Sequence, residues 1–189
     1  MANKDSAFGL RAIGKVGQNS DNQGLSEYSI AASATAIYQG DPVKGINTGT
    51  VGVAAAGDVL LGSLNGIFYT DSSTDKPTWA NHLAAANAAA DIVGFVSDDP
   101  YERFEIQSNN AGASAQTDVF NDADIVYLAG ASPNFLSKVE LDDSSLSATD
   151  GQLKIIGVSK DPTNNEIGAA NVNWVVTINE HLLKQVTGI

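Results

Sequence analysis

From Glu27 onward, short apolar and β-branched runs are repeatedly closed by Gly, Asn, Asp or Pro. That punctuation is the signature of strands joined by tight turns, and it leaves little room for helix. It predicts strands near Tyr28–Ala31, Pro42–Ile46, Thr50–Ala54, Gly66–Tyr69, Ile92–Val96, Arg103–Gln107, Asp124–Leu128, Leu136–Leu141, Gln152–Val158 and Asn173–Asn179. Phe104/Ile106, Val139/Leu141 and Trp174/Val176/Ile178 alternate with polar or smaller residues, which turns one strand face inward. Asn65-Gly66 and Asp150-Gly151 have the chemistry of tight reversals. Residues 84–90 are Ala except for Asn87, behind a potential Asn81 cap, and form a short helix or a packed loop. Glu180–Val186 predicts one or two closing turns.

Residues 1–26 differ in texture. They mix Gly, Asn, Gln and Ser with Phe8, Leu10, Ile13 and Val16. This reads as an extended N-terminal arm before a β-domain at 27–189, with an edge strand of the same domain as the alternative. The fold expected is all-β with little helix, a single barrel or sandwich of jelly-roll or β-tulip type. One internal echo exists. Ile92-Val-Gly-Phe-Val-Ser-Asp-Asp-Pro100 parallels Ile155-Ile-Gly-Val-Ser-Lys-Asp-Pro162, and a third Asp-Pro pair stands at Asp41-Pro42. Asp-Pro ends strands in many β-proteins; a duplication would suit a fold of two similar halves.

Composition narrows the function classes. Among 189 residues, Lys and Arg total 10 against 22 Asp and Glu, a formal charge of -12. A groove that tracks nucleic-acid phosphates is therefore not expected, nor is attraction to an anionic membrane. With no cysteine, disulfides, thiolate metal sites and Cys nucleophiles are excluded. No secretory signal or transmembrane-length apolar run is visible, so synthesis in a cytoplasm is the simplest expectation.

No catalytic constellation emerges. Gly9-Leu-Arg-Ala-Ile-Gly-Lys15 matches seven positions of a phosphate-binding loop, but Val16 stands where a hydroxyl must reach magnesium. His82 and His181 are too few and too separated for a cupin-type metal set. No Gly-x-Ser-x-Gly elbow is present. The acidic pairs, such as Asp98-Asp99 and Asp142-Asp143, fit no calcium loop and read as solvated turn residues. The expectation is no enzyme, no catalytic residues, no metal and no cofactor. Trp79 follows Lys76-Pro77-Thr78 in a polar stretch. An exposed Trp anchors an interface or stacks on a sugar.

Several stretches carry a resemblance: Ala7-Phe8-Gly9-Leu10-Arg11, Tyr69-Thr70-Asp71 with Lys76-Pro77-Thr78-Trp79, Asp98-Asp99-Pro100-Tyr101 with Phe104-Glu105-Ile106-Gln107, Leu136-Ser-Lys-Val-Glu-Leu141, and Ile178-Asn-Glu-His181. In these the chain resembles capsid decoration, or cement, proteins of tailed bacteriophages. Ala12 stands where proline is expected after Arg11. Gly40–Lys44, Ala54–Val59 and Leu64–Gly66 are also loosely similar to β-tulip head-decoration proteins.

The resemblance implies a non-enzymatic protein on the outer capsid surface of a virion, assembled in the host cytoplasm. It would bridge subunits of the major capsid protein and assemble with copies of itself as a homotrimer. The residues expected to touch the capsid are Phe8, Leu10, Arg11 and Ile13 of the arm, with Arg11 pairing a carboxylate there, and Trp79. The alternatives are a carbohydrate-binding β-module using Trp79 and Tyr69, another phage structural subunit, and a hydrolase with a carboxylate pair facing across a cleft.

Overall fold

The computed structural model describes residues 2–17, 24–109 and 113–186. Within them the chain is all-β, and every ladder between its strands is antiparallel. Strands are numbered along the chain. The first large sheet runs β2 (Ser26–Ser29), β9 (Val93–Ser97), β6 (Gly62–Asp71), β4 (Pro42–Ile46), β5 (Thr50–Val53), with β7 (Lys76–Ala80) also on β6. The second runs β1 (Arg11–Lys15), β10 (Glu102–Gln107), β15 (Asn173–Ile178), β14 (Leu153–Val158), β11 (Asp122–Ala123). Two short ladders join β3 (Ile37–Tyr38) to β8 (His82–Leu83) and β12 (Ile125–Val126) to β13 (Glu140–Leu141).

Each large sheet has its own core, because strand alternation sends one set of apolar residues inward. Ile30, Val43, Leu61, Leu64, Ile67 and Val96 fill the first. Phe104, Ile106, Ile155, Trp174, Val176 and Ile178 fill the second, joined by Leu60 and Ala54 from the first half of the sequence. The two echoing segments thus serve different sheets: β9 lies between β2 and β6, and β14 between β15 and β11.

Several local expectations differ from the structure. Residues 11–15, expected in a free arm, form an edge strand on β10. The preceding residues are also held. The Ser6 N–H donates to Gln107 Oε1, Asn164 and Lys4 exchange two hydrogen bonds, and Asn3 donates to the Glu166 and Ala170 carbonyls. Gly9, at φ +74°, lies so close to Gly40 that a Cβ there would strike the Gly40 carbonyl oxygen. Residues 1 and 18–23 of the expected arm lie outside the described residues.

Asn65-Gly66 is not a reversal but a bulge inside β6, where the register with β9 shifts between Leu64 and Gly66. The alanine-rich stretch 84–90 is a loop with Ala86 at φ 59°. Within it Ala89 alone is buried, and the buried Leu83 before it stands six residues away, off helical spacing, so a helix would have had no face to bury. The closing turn expected over Glu180–Val186 is a single 3₁₀ turn, Leu182–Lys184.

Candidate interaction surface

The outer face of the first sheet carries a cluster of three aromatic rings. Along β6, Ile67 is buried and Tyr69 packs against the core, so Phe68 between them points outward. Phe68 pairs with Trp79 of β7, and Phe95 of β9 pairs with Gly66. Gly66 offers no side chain, which lets Trp79 reach across β6. Trp79 stacks on Phe95 with ring centroids 5.2 Å apart and planes 22° apart, and tilts on Phe68 at 4.9 Å.

Trp79 nonetheless remains 69% exposed. Its strand is a sheet edge that opens with Lys76-Pro77, a charge and a missing ladder donor that discourage indiscriminate strand pairing. Each aromatic pair contributes about 0.5–1.5 kcal/mol beyond area burial. The contacts hold the indole in one orientation before any partner arrives, which lowers the entropy lost on binding. Tyr69, expected to form a platform with Trp79, is on the opposite face. It pairs with Thr78, one residue from Trp79, and adjacent strand residues face opposite ways.

The four arm residues are distributed differently. A groove of about 370 Å³ is lined by Phe8, Leu10, Arg11, Leu25, Asn65 and Leu136 among others. Leu10 is only 1% exposed and belongs to the chain's own second core, so it anchors the segment rather than offering itself to a neighbour. Arg11 lies over the Phe8 ring at 4.5 Å and forms an ion pair with Glu105. Its carboxylate partner is therefore in its own chain, held on its other oxygen by the Ser159 hydroxyl. Ile13, on the same edge strand, is 42% exposed. Trp79 is on the other large sheet, away from these four along the chain and in strand order.

A second, more polar cleft of about 550 Å³ is lined by Asp5, Asn109, Asn134, Lys138, Glu140 and Asn171 among others. Burial, reinforced by the charges of Asp5 and Asp143, pushes the Glu140 carboxyl up to about 7. The cleft therefore brings together two carboxylates, one of which holds its proton close to neutrality. Sequence reasoning did not pair them, because Asp5 and Glu140 come from opposite parts of the chain. Many other acids serve turns. Asp71 Oδ1 accepts from the Ser73 hydroxyl and the Ser73 and Thr74 N–H groups, which holds its carboxyl below the usual range. Asp161 accepts from the Thr163 N–H and hydroxyl to the same effect.

The histidines occupy separate places. His82 stacks on Phe135, with centroids 4.0 Å apart and planes 3° apart, and lies parallel to Tyr38 at 6.0 Å. Burial lowers its pKa. His181 is buried and caps the last 3₁₀ turn. Among the described residues, no three His, Cys, Asp or Glu side chains are grouped so as to hold a metal ion.

No protein-family model matches this chain, no curated protein matches it, and no solved structure matches its fold.

Proposed function

We propose that this chain is a non-enzymatic structural protein of a tailed-phage head, added to the outer capsid surface as a decoration or cement protein. The observation that carries the reading is the exposed, orientation-locked Trp79 on a rigid sheet face, backed by Phe68 and Phe95. Such an anchor, surrounded by weaker contacts, is the form protein hot spots take. The sequence resemblance supports the same reading. So does a charge of -12, which keeps the protein from competing for packaged DNA. Here the aromatic face, with Ile13 and the outer rim of the Phe8–Arg11 groove, contacts the major capsid protein. Copies arranged as a symmetric cluster, a homotrimer in the simplest case, would bridge capsomer boundaries. Binding only the expanded lattice would stabilise that lattice by mass action.

The test is co-sedimentation of purified protein with undecorated heads of the phage that encodes it, comparing wild type and Trp79→Ala. Wild type should pellet with heads and Trp79→Ala should not. Failure of the wild-type protein to bind, or equal binding by both, would refute the reading.

The same platform favours a second reading, a carbohydrate-binding β-module for host adhesion. A fixed indole with a solvent-facing surface also suits stacking on a sugar ring. A glycan array separates the two: strong, Trp79-dependent glycan signals without head binding would favour adhesion.

A further inference from the structure

The C-terminal segment ties the two large sheets together. The Leu60 N–H donates to the Glu180 carbonyl at 2.9 Å, and the Leu182 N–H donates back to the Leu60 carbonyl at 2.8 Å. Leu182 packs against the first core, whereas Ile178 belongs to the second. Between them stands His181, 1% exposed. Its Nδ1 accepts the Leu183 N–H at 3.1 Å and so caps the turn Leu182–Lys184. Only a ring unprotonated at Nδ1 can do this. Nε2 is buried without a formed hydrogen bond, and the Asp98 backbone favours the protonated ring.

The surroundings give the ring a second place to put charge. Asp98 and Asp99 face it from the turn that joins β9 to β10, and Lys184 faces it from its own segment. Asp98 accepts from the Ser26 and Tyr28 hydroxyls, and Asp99 pairs with Lys15 of β1 at 2.7 Å. Glu102 adjoins Lys15 and Asp99. Lys184 also lies 4.8 Å above the Tyr101 ring in the same turn.

We propose that His181 is an acid-released clasp: its protonation detaches residues 180–186 from Leu60 and loosens the tie between the two sheets. A proton taken from solvent onto Nδ1 turns the acceptor of the Leu183 N–H into a donor facing a donor. The imidazolium is then drawn toward Asp98 and Asp99. Burial, helped by Lys184, holds the ring below the ordinary imidazole pKa, against the pull of the two aspartates. For a base with a lowered folded value, the tie is fully present above the unfolded value of 6.5. It weakens as pH falls below that value and toward the folded one.

Hydrogen exchange at the Leu60 and Leu182 amides, corrected for intrinsic rate, tests this between pH 8 and 4.5. Protection at both should fall about tenfold per pH unit through the His181 titration, while the Leu64 and Val96 amides stay protected. His181→Asn keeps an acceptor for the Leu183 N–H but takes no proton, so its protection should not change over that range. The state of the ring can be read by NMR with His181 itself unaltered, and His82→Gln assigns the two imidazoles. The neutral ring should carry its proton on Nε2. Neutral His181 protonated at Nδ1 would overturn the proposal. So would protection indifferent to the His181 titration, or lost equally in His181→Asn.

Discussion

Replacing Asp41 by Asn should make the protein more stable at neutral pH, not less. Asp41 is fully buried at the start of β4, where its Oδ2 accepts the Tyr38 N–H at 2.9 Å. Burial pushes its carboxyl from 3.8 up to about 6, against the pull of the Ser137 hydroxyl and the Tyr38 N–H. Its charge also helps to hold the Tyr127 phenol up to about 12, behind burial itself. A raised carboxyl contributes stability below its unfolded value of 3.8 that is lost as pH rises through the folded value of about 6. A shift of that size corresponds to about 3 kcal/mol at 1.36 kcal/mol per unit. Asn keeps an oxygen for the Tyr38 N–H and never ionises. Urea titrations followed by tryptophan fluorescence, with Trp174 as the buried reporter, should show Asp41→Asn gaining ~1–3 kcal/mol at pH 7.5 and nothing at pH 4. The melting temperature at pH 7.5 should rise by ~3–10 °C for a chain this long. Equal destabilisation at both pH values would show that the ionised carboxylate is well solvated or paired, and would refute the reasoning.

Trp79→Ala should lower the unfolding free energy by about 1–3 kcal/mol, the value of its two ring contacts, leaving the protein folded while abolishing head binding; a melt and a pelleting assay on one preparation check both. Leu10→Ala should cost about 2–5 kcal/mol in urea, because Leu10 is 1% exposed in the second core, and a neutral result would return that residue to a free arm. Phe120 is 74% exposed at φ 79°, so Phe120→Gly should gain up to about 1 kcal/mol by relieving a left-handed side chain, whereas Phe120→Ala should gain nothing; thermal denaturation distinguishes them.

What the sequence revealed follows from how much of each element is buried. β4 and β15 were legible because their apolar residues are continuous or alternate cleanly, and Pro42–Ile46 matches to the residue. β1 was not, because four of its five residues are exposed or half-exposed and an edge strand needs only one good face. β7 opens with Lys-Pro, which reads as loop chemistry and is in fact edge-strand chemistry. The Asn-Gly pair at 65–66 has the same backbone freedom in a bulge as in a reversal, and only the partner strands decide between them. For the candidate surface, the exposure of Trp79 could be read from its polar surroundings. Its ring partners could not, since Phe68 and Phe95 meet it only through pairing across β6. Leu10 and Arg11 looked available because their partners, the second core and Glu105, are remote in sequence.

The order of strands in the second sheet bears on how the chain is made. β1 is synthesised before the other described strands, yet among the described residues it pairs with β10, at Glu102–Gln107. Everything needed for the first sheet, from β2 to β9, is translated in between. The ribosome therefore releases one complete sheet while the earliest strand still has nothing to pair with. The long loop that must then close adds entropy cost only logarithmically with its length. Until β1 arrives, the outer edge of β10 is bare, and an unpaired edge is a template for another copy of the chain. Docking of residues 11–15 thus closes that edge of the second sheet to its neighbours.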